Sequence, residues 1–384
     1  MTRYNTLNNS PEIPMHQDCF APCPDIYLLN HSVGRMPLGT EASLREHFLT
    51  PWEQGDPEPW PLWLESIARF QAGLGRLFNS AAENFCPQTN ISSALGKVIG
   101  GLPPQPGRKV ILFCEHDFPS VGFVLQQAER LGFQTRMIPA REDAQQLAVW
   151  ERALGPDVHS VLLTHAHFNS GKLIPVEDIT RLCRAREIFS MVDIAQSAGV
   201  IPIDLGKWQA DVVLGSCVKW LCGGPGAGFL WLEAETAARL APRDVGWFSH
   251  SAPFEFDINH FEYAAGSARF WGGTPSILPY VVAGHALELA NRIGVATVRQ
   301  HNMALTQKIV NAVDPACLRA PVDPALRSGT LVLALPDQDS VVAKLREAGV
   351  RFDVRPLGLR LSPHIYNTPE EIETVVECLD GESR

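Results

Sequence analysis

Between residues 60 and 75 apolar side chains recur every three to four positions, so Trp63, Ile67, Phe70 and Leu74 share one face of an expected helix. Ile91, Leu95, Val98 and Ile99 repeat that spacing after Thr89 and predict a second helix. From residue 109 the texture changes to short runs: KVILF (109–113), QTRMI (134–138), SVLLT (160–164), IFSMVD (188–193), DVVLG (211–215) and GFLWL (228–232). These read as strands, with helical patterns at 121–131, 143–154 and 176–186 between the earlier ones. Strands apolar on both faces and separated by helices predict a largely parallel sheet covered on both sides. Ligands of such sheets sit beyond the carboxyl ends of the strands.

Toward the C-terminus two helices (276–293 and 297–313) lead into a strand in GTLVLALP, a helix at 338–348, the strands VRFDV and LRLS, and a last helix at 369–379. The 384 residues exceed what one compact core usually holds. The expected organisation is an irregular N-terminal arm (1–60, rich in Pro, Asn and Asp), a large α/β domain (61–284) and a smaller α+β domain (285–384).

Composition narrows the partners. Hydrophobic residues are 45% and charged residues 19%, as in a globular protein, and the net charge is −10. That balance predicts no nucleic-acid and no acidic-lipid surface. No apolar run reaches the ~18–20 residues that cross a bilayer, and residues 1–20 lack the apolar stretch of a secretory signal. The nine cysteines form no zinc-ligand spacing, so no metal is expected, and reduced thiols in a cytoplasmic protein are the expected state.

The chemistry concentrates in two stretches, Val192–Asp193–Ile194–Ala195–Gln196 and Ser216–Cys217–Val218–Lys219–Trp220–Leu221–Cys222–Gly223–Gly224–Pro225–Gly226. Asp193 ends one apolar strand; Lys219 follows another and precedes a Gly-Pro-Gly loop. A carboxylate and an amine at neighbouring strand ends can meet around one ligand. Pyridoxal 5'-phosphate (PLP) chemistry needs such a pair. The lysine must lose its proton to form a Schiff base, and the aspartate keeps the pyridine nitrogen protonated so that the ring accepts electrons. Taken singly, Asp193 could cap a turn and Lys219 could be a solvated loop residue.

These stretches resemble the cofactor-lysine region of class V PLP enzymes, most closely kynureninase. A D-x-A-H/Q motif there precedes S-x-K-aromatic-L-x-G-G-P-G. HDFPS (116–120), VGWFSHSAPFEFD (245–257) and SARFWGGTPSIL (267–278) resemble kynureninase segments as well, and the likeness runs from Tyr27 to about Leu379. It implies the PLP-dependent transferase (aspartate aminotransferase-like) fold and a homodimer with its active site at the subunit interface. Phe118 would stack on the cofactor ring, Asp193 would pair with its nitrogen and Gln196 would reach its phenolic oxygen. Gln88, Thr89 and Ser216 would hold the phosphate, with Trp247 and Thr274 arriving from the second subunit. Each admits a plainer reading: a core Phe, a helix cap at Gln196 or Thr89, a buried Trp. Arg360, in LRLSPHIYNT, would clamp the substrate α-carboxylate with two parallel hydrogen bonds, unless it forms an internal ion pair. Ser32, His31 and His167 would lie near the substrate, although a histidine at a strand end is often structural.

Two departures bear on the reaction. Kynureninase carries a tyrosine before the lysine and cysteine desulfurases a histidine; this chain has Val218. Gln196 and YNTPEEI (366–372) are similar to the desulfurases, but no cysteine lies between Gly349 and Arg360, where those enzymes place their nucleophile. The expected activity is a hydrolase or lyase acting on an amino-acid side chain through a quinonoid intermediate. Transamination, epimerisation and β- or γ-elimination or replacement use the same intermediate. A PLP-binding regulatory protein without catalysis is the rival from another class.

Overall fold

The computed structural model describes residues 16–54 and 58–379. Its twelve described strands are β1 (Ile26–Tyr27), β2 (Phe85–Gln88), β3 (Val110–Cys114), β4 (Gln134–Ile138), β5 (Val158–Thr164), β6 (Phe189–Asp193), β7 (Val212–Ser216), β8 (Gly228–Trp231), β9 (Leu331–Leu333), β10 (Val350–Arg351), β11 (Asp353–Arg355) and β12 (Gly358–Leu361). Seven of them form one sheet in the order β2-β8-β7-β6-β5-β3-β4. β4, β3, β5, β6 and β7 run parallel, and β8 is antiparallel to both β7 and β2. β3 to β6 are linked in sequence through helices, β6 returns to β7 through a helix-free connection, and β7 and β8 are joined by the loop that carries Lys219.

Every residue of β3, β5 and β6 is buried, as expected for strands covered on both faces. One cover is the helix Trp60–Phe78 packed on the helix Leu278–Ile293, with Ile67, Phe70, Leu74 and Phe78 turned inward. The other is built on the helix Ile91–Gly101, through Ala94, Leu95, Val98 and Ile99. Asn79, in a left-handed conformation (φ 52°), ends the first of these helices where glycine is the commoner choice.

The smaller sheet, β11-β12-β9, is antiparallel and packs on the C-terminal helix Pro369–Leu379. VRFDV is not one strand. Val350–Arg351 pairs in parallel with Ile26–Tyr27, while Asp353–Arg355 turns to pair with β12. Leu28 accordingly belongs to the C-terminal core. The arm is also less irregular than its composition suggests: residues 40–54 are helical throughout, and Phe48 stacks on Trp63 at 5.5 Å. Residues 1–15 of the expected arm lie outside the described residues. Among the described residues no helix is long and apolar enough to cross a membrane.

Candidate active site

The parallel register brings the chemical side chains to one edge. Thr164 at the end of β5 pairs with Asp193 at the end of β6, and Asp193 pairs with Leu214 of β7. Across β8, Gly228 is the register partner of both Ser216 and Gln88, so the ends of β7 and β2 flank it. Only glycine fits between them: a Cβ on Gly228 would lie 2.9 Å from the Gln88 carbonyl oxygen and 3.1 Å from Asn90 Cα.

Lys219 projects from a turn closed by two backbone hydrogen bonds, Cys222 N to Lys219 O (3.0 Å) and Gly223 N to Cys217 O (2.7 Å). The arm braces this turn from outside, where Gly34 N donates to Val218 O at 2.8 Å. Among the described residues the Lys219 amine makes no hydrogen bond or ion pair, and it lies 5.7 Å from the centre of the Phe118 ring. Burial lowers its pKa; Asp193 opposes the shift and Arg360 adds to it. Asp193 is buried, and burial raises its pKa against a 2.7 Å hydrogen bond from Ala195 N to Oδ1 and the pull of Lys219. Its second oxygen accepts nothing among the described residues.

Phe118 is 46% exposed and meets Phe168 edge-on at 5.2 Å. Arg360, buried on β12, reaches across to this pair: Nη1 donates to Phe168 O at 2.8 Å, and its guanidinium lies 6.0 Å from the Phe168 ring. Nε and Nη2 both bind Asp353. The internal ion pair therefore exists, but it leaves part of the guanidinium unused.

The other expected residues divide. Thr89 is exposed at the N-terminus of the helix Ile91–Gly101, whose cap is Asn90, with Oδ1 accepting from Ser93 N at 2.8 Å. Ser216 is half-buried beside them. The side chain of Gln88 is directed elsewhere: its amide donates to Phe270 O at 2.9 Å. Gln196 is tied at both ends, donating to His31 O at 3.0 Å and accepting from Trp220 Nε1 at 3.4 Å. His31 does not face open space, because Nδ1 meets Ser362 Oγ at 2.7 Å and Nε2 meets Asp353 Oδ1 at 2.9 Å. Ser32 is an exposed turn residue, its N–H bonded to Leu29 O. Trp247 and Thr274 contact each other at 3.2 Å within a surface aromatic cluster that includes Phe254 and Phe256.

His167 is buried with neither ring nitrogen hydrogen-bonded, 3.8 Å from Asp117 Oδ1, which is likewise without a partner. Burial lowers His167 to about 3 and raises Asp117 to about 7. Sequence reading passed over Asp117, Asn90 and Asp353. Asp117 stood in the HDFPS run; Asp353 carried no signal, because its partner lies across a hairpin.

An unpartnered amine, an unpartnered carboxylate oxygen on buried Asp193 and a half-exposed phenyl ring at one sheet edge fit PLP. So does a helix N-terminus close to the end of β7, as a phosphate site. The class-V aminotransferase family model matches residues 89–375. The chain belongs to that family. A kynureninase of Deinococcus radiodurans is 28% identical over 86% of this chain and 82% of its own. A kynureninase of Pseudomonas fluorescens is 26% identical over 95% and 91%. Among solved structures, the chain resembles an apo cysteine desulfurase from Thermococcus onnurineus (19% identity, TM-score 0.82, 94% of each chain). It also resembles a cystine C–S lyase in complex with cysteine persulfide (22% identity, TM-score 0.84, 94% of this chain and 99% of the other). The fold is thus that of the PLP-dependent transferases, the cofactor is PLP and the protein is a class V PLP enzyme.

Proposed function

We propose that this enzyme cleaves a side-chain bond of an α-amino acid in the manner of kynureninase, as a homodimer. The observation that carries the reading is the meeting, across two sheets, of a free Lys219 amine with an Arg360 guanidinium that retains unused N–H groups. Kynureninases matching nearly the whole chain support it. The β11–β12 hairpin speaks against a persulfide carried on an enzyme cysteine: Arg355 pairs with Gly358, so the connection is the two-residue turn Pro356–Leu357, without a thiol.

Bound PLP supplies an aldehyde for an amine and a ring that withdraws electrons from the substrate Cα. Lys219 would hold the cofactor, and its amine, when free, would take the Cα proton. Its lowered pKa favours the unprotonated amine that a base needs. Asp193 would keep the ring nitrogen protonated, Phe118 would cover the ring face and Gln196 would face the phenolic oxygen through its second amide N–H. Thr89, Ser216 and the amides around Asn90 would hold the phosphate; Gln88 would shape that strand end. Arg360 would fix the α-carboxylate, with His31 behind it and Ser32 and His167 at the margins of the substrate space. In hydrolysis of L-kynurenine the Cβ–Cγ bond breaks, the hydroxyl of water ends on Cγ and a proton on Cβ, giving anthranilate and alanine.

Exposed Phe254, Phe256 and Ile258 around Trp247 support a dimer in which Trp247 and Thr274 reach the partner's phosphate site. Nine unpaired cysteines support a reducing, cytoplasmic setting.

The test is incubation of the purified yellow protein with L-kynurenine. Anthranilate and alanine in equal amounts, lost in Lys219→Ala together with the visible absorption band, are the expected result. A keto acid in place of anthranilate would assign transamination instead. A band that no amino acid perturbs would favour the regulatory rival.

A further inference from the structure

Asp353 takes both side-on donors of Arg360: Oδ1 accepts from Nε at 2.7 Å and Oδ2 from Nη2. Phe168 O takes one N–H of Nη1. A guanidinium has five N–H donors. Three are used, and one remains on each terminal nitrogen for a second carboxylate.

Asp353 is itself held. His31 Nε2 lies 2.9 Å from Oδ1, and Arg355 Nε lies 3.1 Å from Oδ2. With the two Arg360 bonds, both oxygens are filled to the roughly four contacts a carboxylate accepts. The ion pairs and the hydrogen bond from His31 keep it ionised despite its burial. An ionised carboxylate only accepts, so His31 must carry its proton on Nε2. Neutral Nδ1 then accepts from the Ser362 hydroxyl (2.7 Å), which in turn accepts from Thr330 (2.9 Å). The donors of Thr330, Ser362 and His31 all point toward Asp353. Such a chain strengthens each of its members, and the His31 side chain is fully enclosed.

We infer that the His31–Asp353 pair is the positioning device of the carboxylate clamp: it fixes the plane of Arg360 so that the two remaining N–H groups meet the α-carboxylate of the substrate. The inference rests on the proposed seating of that carboxylate at Arg360. It has a consequence for substrate class. Asp353 is shared between Arg360 and Arg355, so the clamp keeps a positive charge for the carboxylate as well as a fixed geometry.

The test is ligand binding to the PLP-loaded enzyme, read by the change in visible absorption, for L-alanine and for ethylamine, which lacks the carboxylate. Cofactor content and melting temperature report folding. Asp353→Asn is expected to weaken L-alanine on the order of 10- to 100-fold, as when a charged hydrogen-bonding group loses its geometry, and to leave ethylamine unchanged. His31→Leu is expected to do the same more mildly, and His31→Gln, which keeps a donor for Asp353, to recover most of the loss. If Asp353→Asn binds L-alanine more tightly, Asp353 competes with the substrate and the inference is overturned. Equal weakening of both ligands overturns it as well. Arg360→Leu separates the two levels. If it weakens L-alanine while Asp353→Asn and His31→Leu do not, only the positioning role fails. If Arg360→Leu has no effect, the carboxylate seat and the inference fall together.

Discussion

Gly34→Ala should disable the lysine turn from a position outside the catalytic side chains. A Cβ at Gly34 would stand 2.2 Å from Lys219 O, 2.6 Å from Cys222 Sγ and 2.9 Å from Cys222 Cα. Carbon–oxygen contacts settle near about 3.3 Å, so the arm and the turn must part by about 1 Å. Parting breaks the hydrogen bond from Gly34 N to Val218 O, which contributes about 1 kcal/mol, and overpacking adds about 1–3 kcal/mol. The fold survives such a loss. The site does not, because a displacement of about 1 Å at a reacting group costs on the order of 100-fold in rate. The assay is borohydride trapping of the Lys219–cofactor linkage, followed by peptide mass spectrometry, with melting temperature measured in parallel. Slow trapping with a melting point lowered by a few degrees is expected. Wild-type trapping and wild-type melting would refute the idea that the arm braces the turn.

Acid should unfold the protein early. His165, His167 and His364 are buried, and burial lowers them to about 4, 3 and 3. Below the ordinary value of about 6.5 the unfolded chain binds more protons than the folded one, so stability is complete above that pH and falls toward pH 4; at pH 5 the loss is about 2 kcal/mol for each histidine, visible as a steep fall in melting temperature between pH 6.5 and 4.5 and absent if these imidazoles are charged in the native state. Phe70→Ala, which empties a fully buried site facing Tyr280 at 5.0 Å, should cost about 3–5 kcal/mol in denaturant titration and leave the pH dependence of catalysis unchanged. Cys86, Cys114, Cys183, Cys217 and Cys222 are buried, so a thiol reagent should modify them only after denaturation; rapid native labelling at any of the five would contradict the packing.

Much of the fold was legible because burial on both faces leaves a simple mark. β3 to β8 were read as short apolar runs, and the covering helices as 3.6-residue periodicity, with errors of a few residues at their ends. β1 and β2 escaped. Ile26–Tyr27 is too short to show a period and gains its meaning from a partner more than 300 residues away. Phe85–Gln88 contains Pro87, which argues against an interior strand, and it lies at the edge of the sheet. In the site, Asp193 stood out because it ends an apolar strand, and Lys219 because it follows another and precedes a Gly-Pro-Gly loop. The roles of His31 and Gln88 were harder to see, since a polar residue beside a site can face it or support it. Only the partners decide: Asp353 and Ser362 claim His31, and Phe270 O claims Gln88.

Val218 matters most for the choice of reaction. Its side chain has no proton to give, and its carbonyl oxygen is already bonded to Gly34. His31 is committed at both nitrogens and Arg360 at three of its five donors. On the proposed reading Lys219 would move a proton to and from Cα, which is enough for epimerisation and transamination. Cleavage at the side chain needs a second proton, delivered at Cβ. Asp117 and His167 are carried on the same two loops as Phe118 and Phe168, with Asp117 Oδ1 and both imidazole nitrogens enclosed. Burial raises the carboxyl of Asp117 to about 7, against the hydrogen bond from Cys114 N, and holds the imidazole 3.8 Å away neutral. A carboxyl group of that pKa gives up and recovers a proton near neutrality. On the proposed reading, Asp117 would stand in for the acid missing beside the lysine, once its enclosed carboxyl group opens toward the substrate.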